Sequence, residues 1–272
     1  MEAVKGSEAY IFDGNNFRPN APAHHTILPF TRNVIGPMDF TPTIIGEGRG
    51  VVHLSTDVHE IALLNTFECG QTHLVDKIAS YNTLPTLAKT MISQQPTTWD
   101  ETRLVEGFPG THVVFARRKG ENWYISGING ENQVRNLTLS LPFIATGDYT
   151  KQLLSDGAAT ISTTDSPTAR DINTSEMAYL LQSGDVFAQT MQPYGGFLMV
   201  LKRAVCQSNY NLTETITTSS KYEASATIQA TNIVSASANA TYDAAHSVLL
   251  LPGFRVQSGG IFRAYIDGCG NQ

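Results

Sequence analysis

Cysteine is scarce: Cys69, Cys206 and Cys269 are the whole supply in 272 residues. That excludes a disulfide-dense scaffold, and the lack of any C-x-x-C pair excludes a zinc knuckle. Charge is scarce too, at 15% of residues, and 18 Lys and Arg against 24 Asp and Glu leave a net charge of −6. General nucleic-acid binding needs a basic face, so that class falls away. No apolar run approaches the ~18 residues of a membrane-spanning helix. The opening Met1-Glu2-Ala3-Val4-Lys5-Gly6 lacks the basic and apolar regions of a signal peptide. What is present is 41% hydrophobic residues, too many for wholesale disorder. At roughly 150 residues per domain the length suggests about two domains.

Three segments differ in pattern. Residues 1–95 read as α/β. His25 to Val34 predicts a short helix, with Pro29 tolerable in its first turn. Gly36 to Pro42 predicts a short strand ending in a turn. Asp57 and Glu60 resemble a capping box, and Val58, Ile61, Ala62, Leu64 and Phe67 follow at helical spacing. A second helical stretch is predicted through Leu74, Val75 and Ile78. Residues 96–205 read as strands. Thr111–Arg118 and Asn122–Ile128 form a hairpin around Lys119-Gly120-Glu121. Further strand-like runs cover 136–141, 149–154, 185–190 and 196–203, a spacing that suggests an antiparallel β-sandwich.

Residues 206–272 carry seven charged side chains among much Ser, Thr, Ala and Asn. Thr227–Ala230 and Val248–Leu251 read as strands, and the segment as a small all-β module with short stacked turns. Cys206 and Cys269 bracket it. They are either a disulfide tying its ends outside the cytosol or two unrelated thiols, since spacing alone does not show proximity.

Several chemical motifs fail on inspection. His59-Glu60 begins like a zincin helix, but the second His would stand where Leu63 is. Gly46-Glu47-Gly48-Arg49-Gly50 lacks the third glycine of a dinucleotide loop, because that place holds Val51. There is no G-x-S-x-G nucleophile elbow. His24-His25 reads as a loop pair rather than a metal site. Glu2 and Glu8 stand six residues apart. Paired carboxylates serve glycoside hydrolysis and calcium binding, but by spacing alone two glutamates near a chain end are ordinary solvated charges.

The wider run changes that reading. Glu2 to Glu8, His25-Thr26-Ile27-Leu28-Pro29-Phe30-Thr31-Arg32 and Gly36-Pro37-Met38-Asp39-Phe40-Thr41-Pro42 together resemble glycoside hydrolase family 97. So do Pro96-Thr97-Thr98-Trp99-Asp100-Glu101-Thr102 and Ala116 to Tyr124. The resemblance covers about residues 1–204. It implies α-glucosidase or α-galactosidase activity on an oligosaccharide or polysaccharide. It also implies an N-terminal β-sandwich, a central (β/α)8 barrel, a C-terminal β-sandwich and bound calcium. Carried over by position, Glu2 matches a calcium-ligating glutamate and Glu8 the general acid. Asp39 falls at the end of the last barrel strand, where barrel active sites sit, as a substrate-pocket residue.

A whole barrel takes ~250 residues, so residues 1–95 would be its last part only. The fold expected is therefore the end of a (β/α)8 barrel, then an antiparallel sandwich over 96–205, then the β module over 206–272. The chain reads as the C-terminal part of a longer enzyme, with the nucleophile or base upstream and no activity alone. The tail, with Leu251-Pro252-Gly253-Phe254 and Gly259 to Cys269, resembles small C-terminal modules of secreted Bacteroidetes proteins. That implies a periplasmic, cell-surface or secreted parent and surface attachment through the tail. The alternative is a non-catalytic glycan-binding or anchoring β protein, with Trp99, Trp123, Tyr124 and Tyr194 as stacking residues. Trp123 and Ile125 alternate on one strand face, which favours a core role for them instead.

Overall fold

The computed structural model describes residues 4–46, 53–157, 171–204 and 206–269. They fall into two compact units. The first takes the chain to Ala145 and Tyr149–Arg203; the second takes Thr146–Asp148 and the chain from Ala204. No helix among the described residues is long and apolar enough to cross a membrane.

The first unit begins with short helices, α1 (Ala9–Phe12), α2 (Gly14–Phe17) and α3 (Ala21–Ile27), followed by 3-10 turns at Leu28–Phe30 and Arg32–Ile35. The helix expected over 25–34 thus starts earlier and stops at Ile27. Pro29 has no amide proton, and the chain tightens into 3-10 geometry around it. The strand expected at Gly36–Pro42 is not formed. That segment is held instead by single bonds, Ser7 N to Thr41 O at 2.8 Å and Met38 N to Glu68 O at 3.0 Å.

Helix α4 (Asp57–Thr66) follows, with all ten residues buried. Its cap is Thr56, whose hydroxyl accepts from His59 N at 3.1 Å, and not the expected Asp57. Both residue types can cap, and the choice of Thr56 releases Asp57 and Glu60 for other partners. The helical stretch expected through Leu74 and Val75 is also absent. The Asp76 carboxylate accepts from the amides of Ile45, Gly46 and Lys77, pinning a loop there. Helix α5 (Ile78–Asn82) and α6 (Thr86–Ser93) come only after it.

Eight strands complete the unit: β1 (Glu101–Phe108), β2 (His112–Lys119), β3 (Asn122–Asn129), β4 (Arg135–Ser140), β5 (Gly147–Asp156), β6 (Ile172–Leu181), β7 (Val186–Met191) and β8 (Gly196–Arg203). Six form a sheet in the order β1-β2-β3-β8-β5-β6, and β4 pairs with β7. The pairings β1–β2, β2–β3, β3–β8, β5–β8 and β4–β7 are antiparallel.

Alternation sends side chains to opposite faces of the large sheet. One face packs Trp123, Ile125, Phe197 and Met199 against Leu137, Leu139, Phe187 and Met191 of the β4–β7 pair. The other packs Tyr124, Leu154, Leu198 and Val200 against Val58 and Ile61 of α4 and Ala88 and Met91 of α6. The approach of α4 to the sheet needs a glycine. A Cβ on Gly196 would stand 2.8 Å from Gly127 O and 2.9 Å from His59 Cα.

The second unit is built from parallel strands: β9 (Asn209–Leu212), β10 (Ser220–Ala224), β11 (Thr227–Ala230), β12 (Ile233–Val234), β13 (Asn239–Ala244), β14 (Ser247–Leu250), β15 (Arg255–Val256) and β16 (Ile261–Tyr265). β11 pairs in parallel with both β9 and β14, β13 with β10 and β16, and β12 with β15, while Ile216 bridges Val234. Successive strands on each face are about twenty residues apart, which is the geometry of a solenoid of stacked coils. Ile228, Ala230, Val234 and Tyr242 are fully buried inside it. Cys206 and Cys269 are joined as a disulfide, their Cα atoms 6.2 Å apart.

Candidate functional site

Of the residues singled out by sequence, Glu2 lies outside the described residues. Glu8 and Asp39 lie on adjacent segments. The 2.8 Å bond from Ser7 N to Thr41 O lays the segment before Glu8 beside the segment after Asp39. Met38 and Phe40 are buried and pack with Leu63 and Phe67, which leaves Asp39 between them exposed.

Glu8 is half-buried. Its Oε1 accepts from Gly6 N at 3.2 Å. Burial raises its pKa above the usual carboxylate range, backbone hydrogen bonds pull it back, and the charge of Asp39 adds to the rise. Gly6 makes room for this carboxyl. A Cβ there would collide with Glu8 Oε2 and stand 2.6 Å from Thr41 Oγ1. Glu8 Oε2 and Thr41 Oγ1 are themselves buried and unpartnered among the described residues. A carboxyl raised by burial beside a second acid is shifted in the direction that suits donating a proton to an oxygen.

Behind Glu8 lies a polar network that the sequence did not disclose. Glu60 is fully buried and accepts from Ser7 Oγ at 2.8 Å and Ser55 Oγ at 2.5 Å. Thr43 Oγ1 donates to the Glu60 carbonyl at 3.1 Å. His53 Nδ1 lies 2.8 Å from Ser55 O, and its Nε2 lies 3.4 Å from Asp57 Oδ1. The apolar spacing of α4 showed which helix would be buried. The bonds to Ser7 and Thr43 join distant segments and left no local signal.

His24 and His25 are not loop residues, as expected, but sit on α3. His25 is fully buried, with Nδ1 3.0 Å from His59 Nε2. Trp123 and Tyr124 are 5% and 7% exposed, on opposite faces of β3, so neither offers a free ring for sugar stacking. Trp99 packs edge-on to Tyr124, with ring centroids 5.3 Å apart. An open depression of about 590 Å³ beside α6, β5 and β6 is lined by Thr86, Thr90, Gln152 and Glu176, with no aromatic ring.

Calcium takes six to eight oxygen ligands. Glu8, Asp39 and Thr41 supply oxygens of the right hardness, but no group of three or more His, Cys, Asp or Glu among the described residues could hold a metal. The described residues thus fall short of a calcium site.

Residues 98–202 match the family model described as "Glycosyl-hydrolase 97 C-terminal, oligomerisation". Over 127 residues the chain is 40% identical to a protein named "Probable retaining alpha-galactosidase" from Streptomyces bingchenggensis; the match covers 47% of this chain and 18% of that protein. A retaining alpha-galactosidase of Bacteroides thetaiotaomicron is 30% identical over 143 residues, 49% of this chain and 21% of its own. Among solved structures, a family 97 glycoside hydrolase from Pseudoalteromonas sp. strain K8 in complex with panose superposes with TM-score 0.63 and 25% identity. That superposition covers 74% of this chain and 31% of the other. These relatives are glycoside hydrolases, and the chain spans about a fifth of the length of the curated ones.

Proposed function

We propose that this chain is the C-terminal part of a family 97 α-glycosidase in which Glu8 is the proton donor. The observation that carries the reading is a half-buried Glu8, its carboxyl raised by burial and by the charge of Asp39, on a segment bonded beside that of Asp39. In this reading the helical segment is the end of a (β/α)8 barrel, and the sheets are its C-terminal sandwich. Glu8 protonates the departing glycosidic oxygen, and Asp39 contacts the sugar. The two curated relatives described above carry the names retaining and probable retaining alpha-galactosidase, which supports an α-galactoside substrate and a retaining route. A retaining route sets the second carboxylate ~5–5.5 Å from Glu8 across the scissile bond. We place that carboxylate in the part of the parent enzyme preceding Met1, so the chain alone is inactive.

Calcium belongs to the same proposal, with Glu2 as one ligand and the rest of the set supplied by the parent. Such an ion would supply positive charge to polarise substrate oxygens. The Cys206–Cys269 disulfide supports a parent that works in an oxidising compartment, in the periplasm, at the cell surface or outside the cell.

The test is the parent enzyme carrying Glu8→Gln. Turnover of an alkyl α-galactoside should fall by about 10²–10⁴-fold. A substrate whose leaving group needs no proton should be far less affected. Full activity of the variant on the alkyl galactoside would overturn the assignment.

A further inference from the structure

We infer that Glu60 is a positioning residue that holds the Glu8 and Asp39 segments in register; the inference rests on the reading of Glu8 as proton donor. Glu60 sits on α4 and is fully buried, in a helix with no exposed residue. A carboxylate there is costly unless its oxygens are bonded. Its two oxygens take the hydroxyls of Ser7 and Ser55. Ser7 is the immediate neighbour of Glu8, so one end of this bond lies one peptide from the donor.

The same residue reaches the other segment through its backbone. Thr43 Oγ1 donates to the Glu60 carbonyl at 3.1 Å. Thr43 has φ 72°, a left-handed conformation that is strained for a β-branched residue and persists only when its surroundings hold it. The 2.8 Å bond from Ser7 N to Thr41 O then closes a ring through Ser7, Glu60, Thr43 and Thr41. Glu8 and Asp39 flank this ring on its two strands of chain. An ordinary buried acid needs only to be satisfied. The Glu60 side chain reaches the Glu8 segment through Ser7, and its main-chain carbonyl holds Thr43 of the Asp39 segment.

The experiment follows the Glu8 carboxyl by carbon-13 NMR titration in the full 272-residue chain, with thermal melting beside it. The unmodified chain should show a Glu8 midpoint above the usual carboxylate value. Ser7→Ala removes the bond to Glu60 with a minimal change of volume. It should lower the Glu8 midpoint by about half a pH unit or more as the carboxyl gains solvent, together with a moderate fall in melting temperature from the unpaired Glu60 oxygen. Ser7→Thr retains the hydroxyl and should restore the raised midpoint. Glu60→Gln is the harsher variant, and Ser7→Ala keeps the test decisive if that one does not fold. A raised midpoint that Ser7→Ala leaves unchanged overturns the positioning role alone. An ordinary midpoint in the unmodified chain overturns the proton-donor reading of Glu8, and the positioning role with it.

Discussion

His25 Nδ1 stands 3.0 Å from His59 Nε2, and His59 Nδ1 stands 3.2 Å from the carbonyl of Gly195. Because a carbonyl only accepts, His59 donates from Nδ1 and accepts from His25 at Nε2. With both rings neutral this assignment is fixed, and a further proton on His59 would face the donor on His25.

Burial holds His59 down to about 3, and it holds His25 well below its usual value, with the charges of His59, His24 and His53 adding to that effect. Unfolding frees both rings to take up protons near pH 6.5. The stability they contribute is complete above that pH and is lost as the pH falls below it. The slope is about 1.4 kcal/mol per pH unit for each proton taken up. Denaturant melts between pH 7 and pH 4.5 should show the loss, and His59→Phe should remove part of the slope.

Asp156 works in the opposite direction. Burial pushes its carboxyl up to about 6, against bonds from Thr56 Oγ1 at 2.6 Å, Gln192 N at 2.9 Å and Gly196 N at 2.8 Å. The folded state keeps a proton that the unfolded chain gives up near pH 4. Its contribution is thus present below about pH 4 and is lost as the pH rises through about 6. Asp156→Asn should abolish this loss. In the variant, the acid destabilisation from the histidines should then appear steeper between pH 6 and pH 4 than in the unmodified chain.

The seat of α4 on the sheet can be tested at two small residues. Gly196→Ala pushes a methyl against Gly127 O and His59 Cα, both backbone atoms that cannot swing aside. The expected cost is about 1–3 kcal/mol. Thr56→Ala removes the helix cap and the bond to Asp156 together, and should cost about 1–2 kcal/mol. Urea denaturation reads both.

The disulfide closes a span of 63 residues. By chain entropy alone, such a loop is worth about 4 kcal/mol. Cys206→Ser with Cys269→Ser should therefore lower the melting temperature of the second unit and leave the melting of the first unit unchanged. Calorimetry of the full chain, with and without reductant, separates the two transitions.

Much of the sheet was legible because its core strands alternate. Val114 and Ala116, then Trp123 and Ile125, lie on one buried face, as period-two spacing implies. β1 and β6 were missed because both are edge strands, largely exposed, with little apolar alternation to betray them. In the tail, β11 and β14 were readable as strands, but their parallel pairing was not, because the pairing depends on coils rather than hairpins. Glu8 and Asp39 came to notice through resemblance, since two acids 31 positions apart carry no local signature. Glu60 was read as a capping partner. Its bond to Ser7 spans 53 positions, and only the fold brings the two together.

The stacked tail has one more consequence. Ile228 lies opposite Tyr210 in one direction and Val248 in the other, and Tyr242 likewise lies between Tyr222 and Ala264. Duplication of one coil would give each new strand the same kind of neighbours as the old, so the module can lengthen by tandem copying without redesign. A single residue added inside β11 would instead exchange its inward and outward side chains and turn Ala230 toward solvent. Variation in such a tail should come in whole coils and at the corners, rarely within the strands.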